Sequence, residues 1–250
     1  MKFKIAASIF SASFKTLGYL FLFLLLGLFL DSYYMAEIYS NTQLLTNIIV
    51  LIGFAVLYFN SSVKVRKLMV YATIIGAVGE YLFSILLGMY AYRLNTVPLY
   101  VPLGHAIVYV STVYFCKKPI IKVYKKQIEK IFTIAILIYS SLFLIFANDI
   151  FGFVMSMAVL YLLRNKPRER LFFLSMYVAV AVLEIIGTSF QCWAWPDTSF
   201  GVIPFLKSAN PPSGISLVYF LLDLGTLWIY KQRHRTAWAR MKSVRRLREQ

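Results

Sequence analysis

Histidine and cysteine are almost absent, with only two of each in 250 residues. His105 and His234 cannot build a histidine-rich di-iron box, and Cys116 and Cys192 show no zinc-ligand spacing. No metal and no cofactor is therefore expected. A Walker loop and a dinucleotide fingerprint are missing, and no serine lies in a nucleophile-elbow context. Strand-type alternation is lacking too, which argues against a barrel. Acidic residues number ten against 26 basic ones, for a net charge of +16.

What fills the chain instead is apolar: 60% of the residues are hydrophobic and the mean hydropathy is +0.71. A soluble domain averages nearer ~45–50% apolar. The apolar residues come in blocks of about 15–22, the length that crosses a bilayer core. Within such a block only a helix satisfies its own backbone polar groups. The fold class expected is thus all-α, a polytopic membrane bundle of about eight helices. The segments read as Thr16–Tyr33, Gln43–Phe59, Met69–Tyr90, Pro98–Phe115, Ile131–Phe146, Ile150–Leu163, Leu171–Phe190 and Ile215–Tyr230. Residues 1–230 form one transmembrane domain, and 231–250 a basic cytoplasmic tail that carries Trp238. The first block ends in Leu30-Asp31-Ser32-Tyr33-Tyr34 without a small-x-small cleavage site, so it reads as a retained helix with a basic lead-in (Lys2, Lys4, Lys15).

Charge supports this division. With these segments, every basic residue except Arg93 and Lys207 falls on one face, in every second loop and at both termini. That is the positive-inside pattern, with both termini cytoplasmic. The positive charge therefore faces anionic lipid headgroups, and no nucleic-acid partner is expected. The two cysteines fall on opposite sides of the membrane and are not expected to pair.

The second half resembles the first at an offset of about 104 residues, giving halves of about 16–116 and 131–230. Glu80, Ser84, Tyr90, Tyr92 and Val97-Pro98 correspond to Glu184, Thr188, Trp193, Trp195 and Ile203-Pro204. Both copies start on the same side, which reads as a parallel repeat of four plus four helices. Sites in such folds lie between the halves.

Three acids and a histidine sit inside the expected helices: Glu80, Glu184, Asp223 and His105. At 1.5 Å per residue they lie ~11–20 Å from the cytoplasmic edge of a core about 30 Å thick, in one central band. Small and polar neighbours at helical spacing place them on faces that meet other helices. Ionisable groups at that depth either tie helices together or form a site. Tyr90, Tyr92, Tyr100, Trp193 and Trp195 form an aromatic rim above the band. They read either as an interfacial belt or as ring faces for a passing cation. Asn210, before Pro211-Pro212, reads as a turn residue or as a holder of water or a headgroup.

The stretches Gly79-Glu80 to Gly88-Met89-Tyr90-Ala91-Tyr92, Val97-Pro98-Leu99 and Pro102-Leu103-Gly104 resemble the carotenoid 1,2-hydratase family, which includes the bisanhydrobacterioruberin hydratases. In the second half the resemblance continues through Trp193-Ala194-Trp195, Gly201-Val202-Ile203-Pro204 and Asn210. It covers about a third of the chain. Where the family favours Gly-Trp this chain has Gly104-His105, and Glu184 stands without proline where the family favours Asp-Pro. The resemblance implies a bacterial or archaeal plasma-membrane enzyme that protonates and hydrates a C=C bond of an isoprenoid. Glu80 or Glu184 would donate the proton, and Asp223 and His105 would orient water. The Tyr and Trp pairs would stabilise the cation. Ser84, Thr188 and Asn210 would line the substrate. Two other readings stand beside it. One is hydrolysis of a vinyl-ether lipid, as in lysoplasmalogenases. The other is a proton-coupled transporter or lipid-binding membrane protein.

Overall fold

The computed structural model describes residues 2–236 and 238–240. Helix α1 (Lys2–Ser13) passes through a π-helical turn (Phe14–Gly18) into α2 (Tyr19–Leu30) without a break. The basic lead-in and the first apolar segment are therefore one helix. Ser32 caps α3 (Tyr33–Ile38) by accepting the Met35 N–H at 3.1 Å. Next come α4 (Thr42–Phe59), α5 (Val63–Glu80) and a second π-helical turn (Tyr81–Leu86), then β1 (Ala91–Tyr92). Helices α6 (Tyr100–Lys117), α7 (Pro119–Val123) and α8 (Lys125–Ala147) follow. Asn148, left-handed at φ 53°, and Asp149 turn the chain into α9 (Ile150–Leu163). Helix α10 (Arg170–Ser189), β2 (Trp193–Ala194), β3 (Thr198–Ser199), β4 (Ile203–Lys207) and α11 (Ser216–Arg233) complete the order.

The bundle exposes large apolar side chains and buries a set of polar ones within its apolar core. Leu26, Phe59 and Phe146 are 65%, 69% and 82% exposed, while Thr112, Ser156 and Glu184 are 0%, 0% and 2% exposed. Five helical stretches are long and apolar enough to cross a membrane: Lys4–Ile38, Thr42–Phe59, Val63–Leu86, Lys125–Ala147 and Arg170–Ser189. Helix α10 is central, with 67% of its span buried against 11% for α8. Along α5 the buried positions Val65, Leu68, Met69, Ala72, Gly76, Gly79 and Glu80 recur at three- and four-residue steps, the signature of one packed face. That face meets α6 and α11.

Two expectations are corrected. The third segment does not stay helical to Tyr90. Gly88, at φ 59°, reverses the chain after the π-turn and puts Tyr90 and Tyr92 on and beside β1. An all-α chain is also too simple, because two small antiparallel ribbons, β1 with β2 and β3 with β4, close one end of the bundle. Residues 237 and 241–250 of the sequence-defined tail lie outside the described residues.

Candidate functional site

The β1–β2 ribbon builds the site. Ala91 pairs with Ala194 and Tyr92 with Trp193, so residues about 100 positions apart lie side by side. The ribbon turns its aromatic side chains down into the bundle, onto the ends of α5 and α10. Tyr92, Trp193 and Trp195 are 5–7% exposed. They form no lipid-facing belt; they are hydrogen-bond donors to buried acids.

Glu80 accepts from Tyr90 and Tyr92, the latter at 2.5 Å, both on Oε2. Its Oε1 lies 2.7 Å from His105 Nε2 on α6. Glu184 accepts from the indole N–H groups of Trp193 at 2.8 Å and Trp195 at 3.0 Å, both on Oε2. Its Oε1 accepts from Tyr219 of α11 at 2.7 Å. Each glutamate thus meets two aromatic side chains from its own half of the ribbon and one ring from the helix that follows. Three hydrogen bonds offset much of the cost of burying a carboxyl group. Burial, with Glu80 alongside, holds the ribbon hydroxyls of Tyr90 and Tyr92 well above the usual phenol range, so both remain donors.

The two sets touch. Tyr90 and Trp195 rings are 4.5 Å apart, and His105 and Tyr219 rings 5.1 Å. Beside them is a cavity of about 60 Å³, lined by Glu184, His105, Tyr219, Asp223 and Trp193 among apolar side chains such as Val108 and Met176. That volume holds a few waters, given ~10–15 Å³ for one probe sphere. Asp223, one turn along α11 from Tyr219, is 8% exposed, and its buried Oδ2 has no hydrogen-bond partner among the described residues.

The remaining expected site residues are placed as follows. Ser84 donates to the Tyr90 carbonyl at 3.1 Å, which fixes the turn behind the ribbon. Thr188 donates to the Glu184 carbonyl at 2.8 Å, within its own helix. Asn210 accepts the Trp195 N–H at 3.0 Å, which anchors β2's flank. With Thr188, Asn210 also lines a second, outer cleft beside the ribbon. The cavity that holds Glu184 and Asp223 lacks both Thr188 and Asn210.

Two further buried acids support the site: Asp31, and Asp149, whose sequence context indicates only a turn. Asp31 pairs with Arg93 at 2.7 Å and accepts from Tyr100 at 2.8 Å. This explains why Arg93 stands apart from the other basic residues. Asp149 accepts the N–H groups of Gly152, Ala209 and Ser213 at 3.1, 3.0 and 2.7 Å. The one sequence signal for either is position: Asp31 directly follows an apolar block and Asp149 directly precedes one. The cysteines are free and apart, and Cys192 Sγ donates to the Leu28 carbonyl at 3.3 Å. Among the described residues no three His, Cys, Asp or Glu side chains group as metal ligands would.

No family model matches the chain, and no curated protein and no solved structure shows significant similarity to it.

Proposed function

We propose that the chain is an integral membrane enzyme that hydrates a C=C bond of a long-chain isoprenoid or carotenoid. In this reading eight helices cross a prokaryotic plasma membrane as a parallel four-plus-four repeat, with both termini cytoplasmic. The basic loops and the matching donor sets around Glu80 and Glu184 support that arrangement.

The observation that carries the reaction is Asp223, a buried carboxyl whose Oδ2 has no partner among the described residues, beside an aromatic-lined cavity that Glu184 and His105 also line. Hydration needs an acid that protonates carbon, stabilisation of the resulting tertiary cation, and a base that takes a proton from the adding water. Glu184 already accepts from three donors, two of them indoles that can only donate. It supplies negative charge near the cation, together with the Trp193 ring face. Among the described residues the Oδ2 of Asp223 has no hydrogen-bond partner, so a proton there is free for the substrate. His105, held by Glu80, takes the proton that the added water releases. A proton returned to Asp223 closes the cycle, so one water adds across one double bond and nothing else is consumed.

The test is a lipid analysis. Wild type, Asp223→Asn and Glu80→Gln are expressed in a host that makes lycopene-type carotenoids, and membranes are examined by mass spectrometry. A gain of one water is expected with the wild type and not with either variant. Wild-type protein in the membrane with no hydrated product refutes hydration of this substrate. Aldehyde release from an alkenyl-ether lipid, or proton-coupled uptake in proteoliposomes, would then take its place.

A further inference from the structure

The cavity at the buried acids is too small for the substrate just proposed. Ligand clefts usually measure ~300–1,000 Å³, and this one is about 60 Å³. Most of a long chain must lie elsewhere. A groove of about 500 Å³ runs along α2, α4 and α6 from Lys15 and Asn60 at one end to Phe23 and Ile107 at the other. Phe23 and Ile107 also line the inner cavity, so they are the partition between the two spaces.

The partition is a single aromatic ring seated over a glycine. The Phe23 ring lies on Gly53 of α4, where a methyl group would come within 2.9 Å of the ring's far edge. Helix α4 presents no side chain there, and the ring occupies the space. Phe23 is half-buried and borders the lipid-facing seam, whereas Ile107 is buried. At the other end the groove begins at the π-helical turn, whose Lys15 and Thr16 both line it. Such turns recur at functional positions in helices. From Lys15 to Phe23 is eight residues, or ~12 Å of helix. Lys15 therefore marks headgroup depth on the basic face, and Phe23 lies well inside the hydrocarbon.

We propose that this groove is the lateral entrance through which the isoprenoid chain passes from the basic-face leaflet to the buried acids, with Phe23 as its gate. The inference rests on the isoprenoid reading for its occupant. Its route follows from the shared partition, the glycine under the ring and the apolar groove floor of Leu20 and Leu57.

The experiment uses a diazirine-bearing geranylgeraniol as a photoprobe. The full chain is reconstituted in nanodiscs of phosphatidylcholine and phosphatidylglycerol, and crosslinked peptides are mapped by mass spectrometry. Labelling is expected on the peptides carrying Phe23 and Gly53, and on those carrying His105 and Tyr219, with competition by unlabelled geranylgeraniol. Phe23→Trp should cut labelling at His105 and Tyr219 at least fivefold while labelling at the Lys15 end persists. Phe23→Ala should raise it, which guards against loss by misfolding. Inner labelling indifferent to both variants, or confined to the outer cleft, or no competed labelling at all, overturns the route. Labelling by this route without hydrated product removes the hydratase reading alone. Hydrated product without groove labelling removes the route alone.

Discussion

Tyr92 and Trp193 are partners across the ribbon, and each donates to a different buried glutamate: Tyr92 to Glu80 at 2.5 Å, Trp193 to Glu184 at 2.8 Å. A single backbone pairing thus sets the positions of both acids' donors. Tyr92→Phe removes one hydroxyl and leaves the ring. The loss of a hydrogen bond to a charged group is worth about 1.5–3 kcal/mol. The variant should melt lower in detergent than wild type, and its product yield should fall with Glu80 left on two partners. An unchanged melting temperature would show that the hydroxyl contributes nothing in the folded protein.

Gly187 tests how tightly the ribbon is seated. A methyl group there would meet the Trp193 ring at 2.0 Å. The indole is held by Glu184 and by its strand pairing, so it cannot swing aside freely. Gly187→Ala should therefore break the Trp193–Glu184 hydrogen bond and cost about 1–3 kcal/mol by overpacking. Tryptophan fluorescence reads the displacement, and a spectrum identical to wild type would argue against so tight a fit.

Asp149 should matter for stability more than any exposed acid does. Its carboxylate takes three backbone N–H groups, from the start of α9 and from the segment leading into α11, and it is fully buried. Asp149→Ala leaves those donors unsatisfied, at about 1–3 kcal/mol each. Loss of the folded fraction in size-exclusion chromatography is expected. Asp149→Asn, which keeps one acceptor but turns a donor toward N–H groups, should be intermediate.

Hydrophobic block length located the long apolar helices, five of which are long and apolar enough to cross a membrane. It placed α9 at Ile150–Leu163, as observed, and α10 within a residue at each end. Helical spacing also put Glu80, His105, Glu184 and Asp223 on inward faces, and all four are now near one another through hydrogen bonds, ring contacts or the shared cavity. The repeat pattern flagged the aromatic pairs but not their direction. Gly88, two residues before Tyr90, permits a turn, but nothing within five residues of Tyr90 or Trp195 reveals that strands 103 positions apart pair. The same holds for Arg93 and Asp31, whose pairing spans 62 positions. Local periodicity carries no signal for such partners. The groove behind Phe23 depends on which glycine faces which ring, and that too is a tertiary fact.

Asp223 separates a structural reading of the buried acids from a functional one. A polar group buried without a partner destabilises a protein by about 1–3 kcal/mol on mutational scales. Glu80 and Glu184 have hydrogen bonds to offset that cost, while the buried Oδ2 of Asp223 has none among the described residues. Were Asp223 there to tie helices together, Asp223→Asn would weaken the bundle. If instead it is kept for a proton, Asp223→Asn should leave the melting temperature equal to or above that of wild type, and Asp223→Leu should raise it. Product formation should fall in both by about 10²–10⁴-fold, the usual contribution of a positioned acid. Measuring both quantities on the same preparations decides the matter. A less stable variant with normal yield would return Asp223 to a packing role and leave the reaction without its acid.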